Sequence, residues 1–317
     1  MARAGEAWRH RAEYGAVLVV RAMVRLAPWR LAMRVGSGLG AAFYALDAGH
    51  RRLTIANLAA AFPQRPPAEH EAIARGVFRH FGQLLVEILR FGGRTPAQVL
   101  EAVEFEGEER VLQAMERGKG LLCVTGHFGF WELHALAHGA RFGHGSLVAR
   151  PLDNPFLHKL LEDIRTSTGN TVIYRHRGLR RILSALAENR TVAMLIDQHI
   201  HNADAVTVQF FDRPAATTSA VAALALRTGA AIIPVFALPL GAGRYRLIYE
   251  HPVELPPEDC EDPVRELTQR CTDVLEMYVR RYPERWLWMH RRWRDDGQPA
   301  VSGMFPPAGG GEAVPDE

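Results

Sequence analysis

"GLLCVTGHFGFWELHALA", residues 120–137, runs from an unbroken apolar stretch through two glycines and a histidine into a segment of helical character. A short, wholly apolar run bounded by glycine reads as a strand buried on both faces. The glycines at 126 and 129 relax the backbone of the turn that follows. His127 and Glu132 are five residues apart. On one continuous helix that is about 500° of rotation, which puts the two side chains on different faces. They meet only if His127 lies in the strand-to-helix turn and Glu132 in the first turn of the helix. Strand ends in α/β sheets are where ligands collect, so this turn is the first place to look for chemistry.

Outward from it, short apolar runs alternate with helical patterns. "AVEFEG", "GLLCVTG", "GSLVAR", "NTVIYR" and "TVAMLID" read as strands separated by helices ending near Arg117, His138 and Glu188. A helix over 218–228, "AAIIPVFAL" and "RYRLIYEH" follow. The last two flank "GAGR" and predict an antiparallel pair near the sheet edge. The alternation predicts an α/β fold with a mixed, mostly parallel sheet flanked by helices. A long helix, 263–281, precedes "YPERWLWMHRRWR". Ahead of the sheet, residues 1–93 read as helical, with a helix over 14–35 and another from Pro67 to Arg90. The chain is thus expected to divide into a helical, membrane-associated segment (1–93), an α/β domain (94–296) and a Gly/Pro-rich disordered tail (297–317).

The composition is that of an ordinary globular protein, 48% hydrophobic and 23% charged over 317 residues. A net charge of +3 is too slight for a dedicated nucleic-acid binder. The charge is uneven: nine arginines against Glu6, Glu13 and Asp47 give the first 52 residues +6, leaving −3 for the remainder. Arg11, Arg21 and Arg25 fall on one arc of a helix whose other positions include Val17, Val20, Met23, Val24 and Leu26. That pattern suits a helix lying at an anionic bilayer surface. No uncharged run there reaches the roughly 18 residues of a span. Three cysteines at scattered spacing make neither a disulfide framework nor a zinc pattern and favour a reducing compartment.

A carboxylate bonded to one nitrogen of His127 would fix its tautomer and leave the other nitrogen as a base. There is no G-x-S-x-G elbow, Walker loop or zincin motif. The hydroxyl activated is therefore expected to belong to a substrate. Cys123, inside the apolar strand, reads as core. Arg150, after "GSLVA", would reach the same sheet end to hold a phosphate or carboxylate or to meet an oxyanion. Arg175 and Asn154 are further substrate-binding candidates, and Asp197 is expected to orient an arginine or cap a loop. Backbone amides between Gly126 and Phe130 are the expected oxyanion donors. Thr217 or Thr218 is the expected N-cap of the helix after it. His199 and His201 form an H-x-H pair with no further ligands in view, so no metal is expected. The Trp and Arg residues of "RWLWMHRRWR" are expected to pack on the core or the headgroup layer rather than on nucleic acid.

"NLAAAFP", "TGHFGFWE", "ARPLDNPFLHKLLEDIR", "LIDQ", "VQFFDRPAATTSAVAALALRTGAAIIPVF" and "PERWLWMHRRWR" occur in that order. Together, from about residue 51 to 294, they resemble the bacterial lipid A biosynthesis acyltransferases, within the lysophospholipid acyltransferase group. The resemblance implies a glycerolipid acyltransferase-like fold. It implies transfer of a fatty acyl chain from acyl carrier protein or coenzyme A to a lipid hydroxyl at the cytoplasmic face of the inner membrane, with no resident cofactor. It maps the H-x4-D/E motif onto His127 and Glu132 as catalytic residues. Phe130 stands where members often carry Asn. The mycobacterial mannoside acyltransferases share the same core, so phosphatidylinositol mannoside and lysophospholipid acceptors stay open beside lipid A precursors, as does a thioesterase that uses the same pair on water.

Overall fold

The structure is a computed structural model describing residues 2–174, 178–200 and 205–293, the side chains of residues 2–5 excepted. Four helices come first: α1 (Ala2–Leu26), α2 (Trp29–Leu46), α3 (Ala48–Ala61) and α4 (Pro67–Phe91). The helix expected over 14–35 is broken at Pro28, whose extended conformation (φ −53°, ψ 145°) ends α1 and caps α2. Proline carries no N–H and biases the residue before it away from the helical region. The fourth helix runs essentially where the Pro-rich turn and the acidic first turn placed it.

There follow α5 (Pro96–Leu100), β1 (Val103–Glu106), α6 (Glu108–Glu116), β2 (Leu121–Thr125), α7 (Trp131–Phe142), β3 (Gly145–Ala149), α8 (Pro155–Thr166), β4 (Thr171–Tyr174), α9 (Gly178–Ala187) and β5 (Thr191–Leu195). A hairpin, β6 (Ala205–Phe210) and β7 (Arg213–Thr218), precedes α10 (Ala220–Thr228), β8 (Ala231–Gly241), β9 (Arg244–Tyr249) and α11 (Pro263–Arg281). Seven strands form one sheet in the order β1-β9-β8-β2-β5-β3-β4, parallel at every contact except β8–β9. This is the expected α/β class. The antiparallel pair lies one strand in from the edge, because β1 adds alongside β9. Every residue of β2 is buried, as a central parallel strand requires.

The hairpin is a correction. The helix was expected from 218, capped by Thr217 or Thr218; both threonines end strand β7, and α10 begins after Ser219. Thr218 Oγ1 still accepts the Ala220 N–H at 3.3 Å, while Thr217 is buried and serves the chain's last segment.

The front helices share the core of the sheet. Leu58, Phe62, Ala74 and Phe78 pack in one cluster with Phe128, Phe236, Trp286 and Trp288. Helix α2 crosses α4 at backbone contact. A Cβ on Gly40 would sit 2.1 Å from the Phe78 carbonyl oxygen, and one on Gly82 would sit 2.2 Å from that of Gly36. Gly36 and Gly40 interrupt the apolar run of α2 because the α4 backbone passes there.

The arginine arc of α1 lies partly on the protein: Arg11 and Arg25 are exposed and Arg21 is half-buried. Arg21 donates to the carbonyl of Gly92 and Arg25 lies against Gly93, at the C-terminal end of α4, where the helix dipole favours cations. Val24 is buried against Ala32, Val86 and Leu89. What α1 and α2 turn outward is mixed: Trp8, Val19, Met23, Leu26, Leu31 and Leu39 are exposed, Leu26 at 88%, beside exposed Arg9, Arg11, Arg25, Arg30 and Arg34. No helix among the described residues is long and apolar enough to cross a membrane.

Candidate active site

Strands β2 and β5 are neighbours in register, Thr125 opposite Leu195. The chain leaves β2 into Gly126–His127 and leaves β5 into Ile196–Asp197, so both residues emerge at the same sheet end. His127 Nδ1 and Asp197 Oδ1 are 2.9 Å apart, and the His127 backbone N–H donates to Asp197 Oδ2 at 2.7 Å. Trp286 Nε1 donates to that same oxygen at 2.8 Å. Asp197 is buried, whereas the His127 side chain is 19% exposed. Burial alone would raise the Asp197 pKa. The adjacent imidazole and the hydrogen bonds from His127 and Trp286 outweigh it and hold the carboxyl well below the usual carboxylate range. Among the described residues nothing is hydrogen-bonded to His127 Nε2.

Glu132 does not hold the imidazole, as the five-residue spacing had suggested. Helix α7 begins at Trp131, and Glu132 points from its first turn towards the last turn of α8. There Arg165 grips it bidentately, Nε to Oε2 at 2.9 Å and Nη2 to Oε1 at 2.5 Å. Both side chains are largely buried. Burial opposes the Arg165 charge, but Glu132 more than offsets it and raises the guanidinium pKa. Trp131 Nε1 donates to Glu132 Oε1 at 3.2 Å, and its indole stands edge-on to the His127 ring at 5.2 Å between centroids.

The turn carrying His127 is fixed by the chain around it. Gly129 adopts φ +58°, and a Cβ there would lie 2.3 Å from the Ala237 carbonyl oxygen. A Cβ on Gly126 would meet the Asp197 carboxylate at 2.9 Å. The Phe128 N–H donates to Gly126 O (2.7 Å), Gly129 N–H to Arg285 O (2.9 Å) and Phe130 N–H to Ala237 O (3.2 Å). With the His127 amide bound to Asp197, all four amides from 127 to 130 are engaged within the protein. Those four are therefore not free to serve as the oxyanion donors expected of the 126–130 stretch.

The "PERWLWMHRRWR" segment is what closes the site from behind. Leu287 N–H donates to His127 O at 3.1 Å, and Phe128 forms an isolated antiparallel bridge with Trp286. Asn57, from "NLAAAFP", donates to the carbonyls of Trp288 and His290, both at 2.9 Å. Arg292 is buried and donates to Ala216 O and Thr217 Oγ1, with burial lowering its pKa to about 10. Trp286 and Trp288 are buried too, so these residues pack on the core, as expected, and offer no stacking surface to nucleic acid.

Arg150 follows β3 at the same sheet end. It is half-exposed with Asp153 at 3.8 Å, and no hydrogen bond ties it to His127 or Asp197. Asn154 is buried and engaged at both ends of its amide. Its Oδ1 caps α8 through Phe156 and Leu157 N–H, and its Nδ2 donates to His10 O (3.0 Å) and Glu13 Oε2 (2.8 Å) of α1. It therefore latches α1 to α8 and offers no free donor to a substrate. Arg175 and His201 lie outside the described residues. The buried donors of Cys123, His134 and His138 all come within 4.8 Å of one another. Both His138 nitrogens are already bonded, to Tyr249 Oη and Thr191 Oγ1 at 2.9 Å each, and burial pushes the Cys123 thiol up beyond ordinary range. These three are a polar pocket of the core, and a metal would have to displace one of those bonds.

The sequence profile of bacterial lipid A biosynthesis acyltransferases matches residues 5–295. The lipid A biosynthesis lauroyltransferase of Escherichia coli (strain K12) is 27% identical over 281 residues, 86% of this chain and 89% of that protein. A phosphatidylinositol mannoside acyltransferase of Mycolicibacterium smegmatis is 24% identical over 278 residues, 86% of this chain and 89% of its own. Among solved structures, the 1-acyl-sn-glycerophosphate acyltransferase PlsC of Thermotoga maritima aligns with a TM-score of 0.36 at 16% identity, over 80% of this chain and 96% of that one.

Proposed function

Since the chain belongs to the bacterial lipid A biosynthesis acyltransferase family, we propose that it moves a fatty acyl chain from a thioester of acyl carrier protein or coenzyme A to a hydroxyl of a lipid A precursor, with His127 as the base. The observation that carries this reading is an imidazole bonded through Nδ1 to a buried carboxylate, with Nε2 bonded to no described residue. Nε2 takes the acceptor's hydroxyl proton while the oxygen attacks the thioester carbonyl. The tetrahedral intermediate expels the thiolate, which recovers the proton from the imidazolium. Asp197 sets the tautomer and balances the transient charge. The acyl group passes directly between substrates, with no covalent enzyme intermediate. Arg150 is the proposed contact for an acceptor phosphate.

The exposed apolar residues of α1 and α2 are the proposed seat on the bilayer, and the cytoplasmic face of the inner membrane is the proposed location of that seat, a reading that family membership supports. A phosphatidylinositol mannoside acceptor is the second reading, since relatives named for it match at similar identity. Purified enzyme supplied with acyl carrier protein thioester and separate vesicles of each acceptor, read by mass spectrometry, decides between them. An acylated lipid A precursor is the expected product. An acylated mannoside instead would move the acceptor, and free fatty acid without any lipid product would overturn the transferase reading.

A further inference from the structure

We propose that Trp131 is a positioning residue of the transfer reaction and that Glu132 and Arg165 serve the histidine only through it. This rests on His127 being the base, as read above.

Asp197 fixes the His127 ring at Nδ1, and a bond at one ring atom leaves the ring free to swing about that contact. The aromatic neighbour that limits the swing is the Trp131 indole, edge-on at 5.2 Å and 66° to the imidazole. The indole is steadied in turn. Its N–H ends on Glu132 Oε1, and its ring meets Phe81 at 6.1 Å. The Glu132 carboxylate is held on both oxygens by Arg165. Between the guanidinium fork and the indole N–H, that carboxylate is satisfied locally and is not the counter-charge of the imidazole. Asp197 has that part. The glutamate of the H-x4-E pair then acts at one remove: it anchors an indole, and the indole places the base. Because Arg165 sits in the last turn of α8, the seating of that helix on α7 is transmitted to the same ring.

A base misplaced by a fraction of an ångström to 1 Å loses rate without losing affinity, at up to about 100-fold in kcat. Trp131→Phe removes the N–H donor, and Glu132→Gln removes the charge that Arg165 grips. Each is expected to lower kcat by about 10- to 100-fold with KM nearly unchanged. The two are expected to be non-additive: in the Trp131→Phe background, Glu132→Gln should cost less than about threefold more. The pH dependence of kcat should keep its shape in both, since the counter-ion of His127 remains. Effects that multiply in the double variant, or Trp131→Phe with unaltered kcat, overturn the inference. Thermal melts accompany each variant. If Glu132→Gln fails to fold, Arg165→Lys replaces it in the cycle, because it keeps the charge and removes the fork. His127→Ala is the control. Full activity there defeats the reading of the site itself, whereas an inactive control with a multiplicative cycle defeats only the role given to Trp131.

Discussion

Asp197→Asn is expected to lower kcat for acyl transfer by about 10³- to 10⁴-fold while the protein stays folded. The asparagine has the same size, and its Oδ1 can still accept the hydrogen bonds from the His127 amide and the Trp286 indole. Its NH₂ group would then face His127 Nδ1. As a donor it forces the tautomer with hydrogen on Nε2, the nitrogen that must accept the acceptor's proton. The charge that balances the imidazolium is lost as well. Both defects fall on the transition state, so KM for the thioester should change little. Steady-state kinetics beside a thermal melt make the test. A variant within tenfold of wild-type kcat would show that the buried carboxylate does not govern the base.

The second large effect is on stability in acid. His80 and His138, buried, and His290, half-buried, are pushed down to about 3, 4 and 3, and His134 well below its ordinary value, in each case first by loss of solvent. All four are neutral in the fold, whereas in the unfolded chain they take up protons below about pH 6.5. Their lowered folded pKa values mean that stability is full above about 6.5 and falls as the pH drops towards 4. Each histidine contributes about 1.4 kcal/mol per pH unit to that loss. Glu87, buried with a raised pKa against the Tyr245 hydroxyl, works the other way, but it is one group against four. Asp197, with its lowered pKa, adds its loss only below about pH 4. Against a total stability of about 5–15 kcal/mol, a loss of several kcal/mol by about pH 5 is a large share. Melts from pH 7.5 to 4.5 are expected to show a steep fall in Tm starting near pH 6.5. A flat Tm down to pH 4.5 would show that these histidines bind protons in the fold.

Much of the scaffold was legible. The apolar run 120–124 is the central strand, and the glycines around His127 form the turn, because both readings rest on local backbone chemistry. The partner of His127 was not legible. Asp197 reaches it because β5 inserts between β2 and β3 after the chain has already built β3 and β4. Strand order is set by the whole fold, so a pairing across 70 residues leaves no spacing to read. Glu132 was expected in that role from its five-residue spacing and the H-x4-D/E motif, and neither carries the place of β5 in the sheet. The break at Pro28 had a signal that the periodicity around it concealed. The β6–β7 hairpin had none of the usual kind, since Phe211 and Asp212 take φ +56° without a glycine or asparagine to announce the turn. The engagement of the 127, 129 and 130 amides depends on Asp197, Arg285 and Ala237, all far along the chain. The final segment showed its tryptophans and arginines clearly, yet that Trp286 holds the carboxylate behind the base follows only from the packing.

The most direct measurement is the rate of lipid acylation by His127→Ala beside wild type, with acyl carrier protein thioester and acceptor vesicles and the product quantified by mass spectrometry. The Asp197 carboxylate keeps its bonds from the His127 amide and the Trp286 indole, so the variant is expected to stay folded, at some cost in Tm, and to lose about 10³-fold or more in rate. Acylated lipid formed at the wild-type rate by that variant would contradict the assignment of the base.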